Sequence, residues 1–253
     1  MRHYFFALLL LLCGPNWVLA STLTVAADPW CPYNCDPNAR QPGYVIEVLR
    51  AVFPEFSIDY QVVPWSRTLL NTTKGIFDAA LSATKETAQK HDLLIGREMI
   101  GVANNCVFVL MGNTLHFKKA DDLNTINKVG LGAGYNYDNE IGVWLDRPEN
   151  HAKIDTISGN DITLRNAQRL LLKRVDAVIE NENVMLYVLN QEKMTANIAS
   201  AGCDLSTPAY VAFSKQTPNV LALIRQLDAG MVRLRQSGEL NAILQRYGLH
   251  DWK

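Results

Sequence analysis

Side chains that could bind a small organic molecule follow five predicted β-strands. Together they provide aromatic rings, hydroxyls, an amide, carboxylates and two cations. They lie in the segments Asp28-Pro29-Trp30 with Tyr33 just beyond, Pro64-Trp65-Ser66-Arg67, Ser82-Ala83-Thr84-Lys85, Gly132 to Tyr137, and Glu180-Asn181-Glu182. Because ligands of open α/β sheets bind outside the carboxyl ends of the strands, we expect these segments to form a site. The mixture predicts a small, polar, zwitterionic or charged ligand, whose cationic part meets aromatic faces and whose anionic part meets helix N-termini.

Each of these residues also has a purely structural interpretation. Trp30 and Trp65 could be core residues, as large aromatic side chains usually are. Arg67 could be a solvated helix residue, and Glu180 and Glu182 could simply face water.

The sequence carries no motif for a cofactor, a metal or an acyl-transfer nucleophile. Residues 130–134 have the spacing G-x-G-x-G, which differs from the dinucleotide-binding G-x-G-x-x-G, and no G-x-S-x-G is present. The histidines at positions 3, 91, 116, 151 and 250 are too scattered for helical metal-ligand spacing. With 24 Lys and Arg against 25 Asp and Glu, the chain also lacks the basic excess of a nucleic-acid-binding protein. We therefore predict no cofactor, no metal and no nucleic-acid partner.

Alternating strands and helices are predicted in both halves of the chain. Strands are predicted at residues 23–27, 58–62, 77–82, 128–133, 154–157, 175–179 and 210–214. Helices are predicted at residues 44–53, 64–74, 136–145, 161–173 and 183–190, with two more that begin near Pro218 and Gly238. This βαβαβ order predicts an α/β fold of parallel sheets covered by helices.

The two halves of the chain contain similar four-residue segments. Asp78-Ala79-Ala80-Leu81 and Asp176-Ala177-Val178-Ile179 each follow a predicted helix, so two similar lobes are expected. For both aspartates, structural capping is a stronger interpretation than catalysis, and Asp161 is predicted to be a helix N-cap. No Gly/Ser linker separates the halves, which favours lobes joined by crossing strands over lobes joined by a tether.

Residues 1–20 have the anatomy of a secretory signal peptide. A short polar start precedes the apolar run at residues 5–12, which is too short to span a bilayer and ends at Gly14-Pro15. Val18-Leu19-Ala20 then predicts cleavage after Ala20. An uncleaved anchor is the alternative. We expect an exported, soluble protein.

The predicted mature chain contains four cysteines, Cys31, Cys35, Cys106 and Cys203. An even number in an oxidising compartment points to disulfides, and four cysteines allow three pairings. The turn-forming spacer in Cys31-Pro32-Tyr33-Asn34-Cys35 favours the pair Cys31–Cys35, which leaves Cys106–Cys203. Separate buried thiols at Cys106 and Cys203 are the alternative.

The sequence resembles the extracellular solute-binding proteins of family 3, the periplasmic amino-acid-type receptors of ABC transporters. The resemblance covers residues 22–253 and is carried by residues 30–33, Gly43-Tyr44-Val45, Pro64-Trp65-Ser66-Arg67, residues 75–79, Val129-Gly130, Gly134-Tyr135-Asn136-Tyr137, residues 175–178, residues 237–240 and Tyr247-Gly248-Leu249. It implies a type II periplasmic-binding-protein fold, with two α/β lobes that close on a ligand. Lobe one would comprise residues 21–104 and 208–253, and lobe two residues 105–207.

The resemblance also implies binding roles for particular residues. Trp65 matches the aromatic residue that stacks on the ligand, hydroxyls near Ser82 and Thr84 hold the ligand, and Asn136-Tyr137 contacts its carboxylate. The family T-x-x-R motif reads Thr87-Ala88-Gln89-Lys90 here, so Lys90 stands where the family Arg grips the carboxylate. Asn181 replaces the Asp that receives the α-ammonium group. The expected ligand-binding residues are Trp30, Tyr33, Trp65, Arg67, Ser82, Thr84, Lys90, Asn136, Tyr137 and Asn181.

Two classes of function follow from this resemblance. The expected one is a monomeric periplasmic receptor that binds a small-molecule solute and delivers it to an ABC permease or presents it to a sensor. The alternative is an exported enzyme that resembles cyclohexadienyl dehydratases, for which Glu180 is the candidate acid. A general acid of this kind needs a pKa raised by burial. The lack of a nucleophile–base pair, a metal set and a cofactor motif favours the receptor.

Overall fold

Two five-stranded sheets form the framework of the protein in the computed structural model, which describes residues 21–135, 137 and 139–253. The predicted signal peptide, including its cleavage site, lies outside the described residues. Each sheet is the centre of one lobe, and the predicted α/β architecture is therefore confirmed.

The first sheet has the strand order β2-β1-β3-β10-β4. Its strands are β1 (Ser21–Ala27), β2 (Phe56–Val62), β3 (Ala79–Thr84), β4 (Gly101–Ala103) and β10 (Thr207–Phe213). Strand β1 runs parallel to β2 and β3, whereas β10 runs antiparallel to β3 and β4. The carboxyl ends of β1 and β3 therefore lie at the same edge of the sheet.

The second sheet repeats this plan with the order β7-β6-β8-β5-β9. Its strands are β5 (Asn105–Leu110), β6 (Val129–Gly132), β7 (Ile154–Ile157), β8 (Ala177–Asn181) and β9 (Ile198–Cys203). Strand β6 runs parallel to β7 and β8, and β5 runs antiparallel to β8 and β9.

The chain crosses between the sheets twice, from β4 to β5 and from β9 to β10. Only Asn104 separates β4 from β5, and residues 204–206 separate β9 from β10. The lobes are thus joined by crossing strands, as predicted, while the lobe limits given above stay a prediction.

Eight α-helices cover the sheets in the part of the chain that the structure describes. They are α1 (Tyr44–Val52), α2 (Trp65–Thr73), α3 (Lys85–Lys90), α4 (Asn139–Leu145), α5 (Ile162–Leu171), α6 (Glu182–Gln191), α7 (Val220–Gln236) and α8 (Glu239–Gln245). Short 3-10 helices span Ala120–Thr125 and Pro148–Lys153.

Each lobe has apolar cores that hold its helices against its sheet. In the first lobe, buried residues of α1, α7 and α8 pack on β1 and β3, with Val48 and Phe53 among them. In the second lobe, the fully buried Trp144 of α4 packs in the core beneath β6, and its indole N–H donates to Asn124. These cores fix the sheet edges from which the polar segments project.

Strands β3 and β8 both begin and end two residues later than predicted. Asp78 and Asp176 stand just before them, and their carboxylates accept backbone N–H groups of Thr24 and of Asn127 and Lys128 respectively, at 2.8 to 3.0 Å. The two aspartates therefore have the structural role predicted for them. The displacement places Glu180 inside β8 and makes Thr84, rather than Ser82, the last residue of β3.

Asp161 is the N-cap residue of α5, as predicted, but its side chain does not cap the helix. Its backbone is left-handed, with φ 55° and ψ 36°, and its side chain makes no capping hydrogen bond. A capping side chain normally sits on an extended N-cap residue, so this conformation removes the interaction.

No helix in residues 21–135, 137 and 139–253 is both long enough and apolar enough to cross a bilayer.

Candidate ligand-binding site

A cavity lies between the two lobes, at the carboxyl ends of the central strands. Its empty volume is about 640 Å³, including open space at its mouth. Both sheets and both crossings contribute to its walls. The lining residues are Asp28, Trp30, Asn34, Trp65, Leu81, Ser82, Thr84, Thr87, Ala103, Asn105, Tyr135, Tyr137, Glu180 and Thr207.

Two tryptophans of the first lobe form an aromatic wall. Trp65 is the first residue of α2, held there by Pro64 at the N-cap position, and one side of its ring packs against the buried cluster around Leu69. Trp30 follows β1 and stacks on Tyr33, with ring centroids 4.2 Å apart. Both tryptophans are only partly buried, and each has a packing contact and also lines the cavity.

Ser82 and Thr84 place hydroxyl groups along β3. Ser82 has a left-handed backbone with φ 62°, beside an irregular register between β3 and β10, and its hydroxyl donates to Asn34 Oδ1 at 3.0 Å. Thr84 is the N-cap of α3, and its side chain accepts the N–H of Thr87 at 3.1 Å. A left-handed conformation at a non-glycine residue costs energy and is concentrated at functional sites.

Asp28 lies at the end of β1, and its carboxyl is almost completely buried, with 6% of the residue exposed. One carboxyl oxygen accepts the hydroxyl proton of Tyr135 at 2.6 Å. Burial raises the pKa of Asp28 to about 7, against the opposing effect of this hydrogen bond, and the charge of Glu180 raises it further. Asp28 belongs to a segment that was expected to form the site, but it is not among the ten expected ligand-binding residues, although a carboxylate directly after an apolar strand was a visible signal.

Glu180 faces the cavity from the other lobe and is 2% exposed, so the interpretation that it faces water is wrong. Its carboxyl oxygens accept the hydroxyl of Thr163 at 2.7 Å, the N–H of Asn181 at 2.8 Å and the indole N–H of Trp30 at 3.4 Å. Burial raises the pKa of Glu180, and these three donors only partly offset the effect. The burial that a general acid requires is therefore present.

Tyr135 and Tyr137 complete the wall of the second lobe. Tyr137 accepts the backbone N–H of Gly132 at 3.1 Å through its hydroxyl oxygen. The ring of Tyr135 lies so close to Gly132 that a Cβ there would come within 2.5 Å of it. Glycine at position 132 thus allows Tyr135 to lie against the strand and reach Asp28 across the cavity.

Hydrogen bonds connect the two lobes at the cavity. Tyr135 donates to Asp28, and Trp30 donates to Glu180, so each carboxyl is bonded to a residue of the opposite lobe. Below them, Asn181 and Asn183 each donate a side-chain N–H to the hydroxyl of Tyr33 at 3.3 Å. The structure therefore has the lobes in contact.

Four predicted ligand-binding residues do not line this cavity. Tyr33 is buried beneath Trp30, and Asn181 is buried as the N-cap of α6, where its side chain accepts the N–H of Val184. Arg67 and Lys90 are exposed on α2 and at the end of α3. Asn136 lies outside the described residues. Trp30, Trp65, Ser82, Thr84 and Tyr137 do come together.

Both expected cysteine pairs are bonded in the structure, Cys31 with Cys35 and Cys106 with Cys203. Cys106 and Cys203 face each other across β5 and β9, next to the crossings. With Glu182 they form a group whose potential ligand atoms lie within 4.8 Å of one another. Since the two sulfurs share a disulfide, they have no thiolates to offer a metal.

Comparison with known proteins identifies the family. A model for bacterial extracellular solute-binding proteins, family 3, matches residues 23–250. No curated protein matches the sequence. Among solved structures, a histidine kinase sensor domain with similarity to periplasmic binding proteins aligns with a TM-score of 0.73 at 17% identity, over 91% of this chain and 98% of that chain.

Two further structures show the same fold. The arginine-, lysine-, histidine-binding protein ArtJ from Geobacillus stearothermophilus has a TM-score of 0.72 at 17% identity, over 92% of this chain and 97% of that chain. A putative L-cystine ABC transporter from Listeria monocytogenes has a TM-score of 0.68 at 19% identity, over 90% of this chain and 95% of that chain. The fold is thus the two-lobed type II fold of periplasmic binding proteins.

Proposed function

Because this chain belongs to the bacterial extracellular solute-binding proteins of family 3, we propose that it is a monomeric periplasmic receptor that traps a small polar solute between its lobes and delivers it to an ABC permease. The observation that carries this proposal is the cavity, which is walled by aromatic, hydroxyl and carboxyl groups from both lobes. A ligand that contacts both lobes binds best when they are together, so its binding favours the closed state.

The names of structurally similar proteins support this class of function. They include a binding protein for arginine, lysine and histidine and a putative cystine transporter. The similarity to a sensor domain supports a signalling receptor as the second class of partner.

The direct test is a thermal-shift screen of the mature protein against amino acids, amines, polyamines, small peptides and organic acids. A ligand that binds only the native state raises the melting temperature by mass action. We expect at least one class of solute to raise it, with calorimetry giving one site per chain. If no class does so, the receptor function is contradicted.

Trp65→Ala is expected to weaken binding of the solute found in that screen by about tenfold or more. The exposed face of the indole would lose its contact with the ligand, and cation–π attraction alone contributes about 0.5–2 kcal/mol. Because Trp65 is only partly buried, the melting temperature of the unliganded protein should fall little.

Trp144→Ala is the matched control for Trp65→Ala. Trp144 is fully buried and is not one of the cavity-lining residues, so its loss should cost about 3–5 kcal/mol of stability. Calorimetric affinity and melting temperature should therefore separate the two variants. A large loss of stability in Trp65→Ala with unchanged affinity would remove Trp65 from the site.

A second candidate function, an exported dehydratase-like enzyme, is favoured by Glu180. Its buried carboxyl with a raised pKa faces the cavity, as a general acid would. However, no Lys or Arg belongs to the described cavity lining, so the carboxylates of prephenate or arogenate would lack a cationic partner there. Incubation with each compound and analysis for turnover by chromatography distinguishes the functions, and a product formed by catalytic amounts of protein would support the enzyme.

A further inference from the structure

The electrostatic character of the cavity is one-sided. Asp28 from the first lobe and Glu180 from the second are its ionisable carboxyls, and both are more than nine-tenths buried. No Lys, Arg or His is among the described residues that line it. A buried carboxylate is expensive unless a cation pairs with it.

The hydrogen-bond donors around both carboxyls are neutral. Glu180 accepts from a threonine hydroxyl, a backbone N–H and an indole N–H, and Asp28 accepts from the Tyr135 hydroxyl. Neutral donors orient carboxylate oxygens but supply no compensating charge. The described cavity residues therefore orient the two carboxyl groups but place no positive charge beside them.

The cations expected to bind a ligand carboxylate are elsewhere. Arg67 and Lys90 are exposed outside the cavity, and Asn181, which stands in the place of the ammonium-binding Asp, is committed to capping α6. A ligand carboxylate placed in the cavity would meet two acidic groups and no described cation. Its position there is electrostatically unfavourable.

The remaining walls suit a cation. The rings of Trp30, Trp65, Tyr135 and Tyr137 line the same space. Aromatic faces attract ammonium and guanidinium groups through the negative charge of the ring face. Two buried carboxyls and four aromatic rings thus line one cavity, and both kinds of group attract a positive charge.

We propose that the solute is a small organic cation without a carboxylate, such as an amine, a guanidine or a quaternary ammonium compound, and that Asp28 and Glu180 together bind its positive group. This inference rests on the proposed receptor function. Asp28 contributes from one lobe and Glu180 from the other, so one positive group binds both lobes. The cation thereby supplies the missing counter-charge and favours the closed state.

Paired probes that differ by one carboxyl group test the proposal. We would measure affinities by calorimetry, at about pH 8, for agmatine against arginine, cadaverine against lysine, tyramine against tyrosine, and tetramethylammonium against betaine. At least one carboxylate-free cation is expected to bind ten times or more tightly than its carboxylate-bearing partner. If a carboxylate-bearing solute binds more tightly than its amine in every pair that binds, or only anionic or neutral solutes bind, the inference fails while the receptor function stands. If nothing binds in any class, both fail.

Variants that remove the charge of one carboxyl group test whether Asp28 and Glu180 bind the positive group of the solute. Glu180→Gln and Asp28→Asn each keep one acceptor oxygen, for the Asn181 N–H and the Tyr135 hydroxyl respectively, and the new Gln NH2 can donate to the Thr163 hydroxyl oxygen. Each variant should weaken binding of the selected cation by about tenfold or more. Glu192→Gln, an exposed change in the same lobe, should leave the affinity unchanged. An uncharged isostere of the cation should bind wild type and variants equally. Equal cation affinity in wild type and both variants would overturn the assignment of Asp28 and Glu180.

Discussion

The unliganded protein is expected to lose about 4 kcal/mol of its free energy of unfolding through Asp28 alone as the pH rises from about 4 to above 7. The pKa of this carboxyl is about 7 in the folded protein and 3.8 when it is unperturbed. Between these values the native state holds a proton that the unfolded chain has released. The stabilisation is complete below pH 3.8 and falls by about 1.4 kcal/mol per pH unit until the carboxyl ionises in the native state.

The difference between wild type and Asp28→Asn isolates this effect. Two other carboxyls change stability in the opposite direction, since ion pairs lower the pKa of Glu98 and Asp155 and make the native state more stable as the pH rises. Glu180, whose pKa is raised by burial, acts in the same direction as Asp28 and is present in both proteins. Urea denaturation at several pH values should show wild type losing stability relative to the variant between about pH 4 and 7. A difference that stays constant with pH would mean that the Asp28 carboxyl is not protonated in the native state.

The groups around Asp28 determine how far its pKa is raised, and therefore how much stability is lost as the pH rises. Glu180 raises its pKa from the opposite lobe, Tyr135 lowers it by donating a hydrogen bond, and Tyr60 lies close enough for its own pKa to be raised by Asp28. Tyr135→Phe should therefore raise the pKa of Asp28 further and extend the pH range of the stability loss upward. A bound cation should reverse the trend, because it stabilises the ionised pair.

Local patterns in the sequence predicted most of the elements that carry the site. Helix α1 has a stripe of apolar residues from Tyr44 to Val52, and apolar residues alternate with polar ones in β2. Each pattern has the period of its element and can be read from that segment alone. The strands next to the crossings between the two sheets could not be predicted from such a pattern. Strand β4 has three residues, β9 is built largely of small residues, and β5 is a continuous apolar run, so none has a distinctive period.

The site was predicted in part, for a similar reason. Trp65, Ser82 and Thr84 lie where strand ends and the family resemblance placed them. The burial of Glu180 depends on Trp30, which is 150 residues away and in the opposite lobe. No local pattern encodes such a contact. Alignment with a motif also gave Lys90 a binding role that its exposed place at the end of α3 does not support.

Removing the Cys106–Cys203 disulfide is expected to destabilise the protein by about 4–5 kcal/mol. The bond closes a loop with a sequence separation of 97, and the loss of chain entropy in the unfolded state grows with loop length. The bond between Cys31 and Cys35 has a separation of only 4, so removing it should cost about 3 kcal/mol less by the same argument.

The two double variants, Cys106→Ala with Cys203→Ala and Cys31→Ala with Cys35→Ala, are therefore matched tests of loop length. Alanine avoids placing an unpaired hydroxyl at Cys106, which is fully buried. Urea denaturation without reductant should show the larger loss for the long loop, and mass spectrometry should find no free thiol in wild type. Equal losses would mean that native contacts, rather than the unfolded chain, determine the effect. A larger loss for the short loop would contradict the prediction, and would indicate that the turn carrying Trp30 into the cavity depends on its own disulfide.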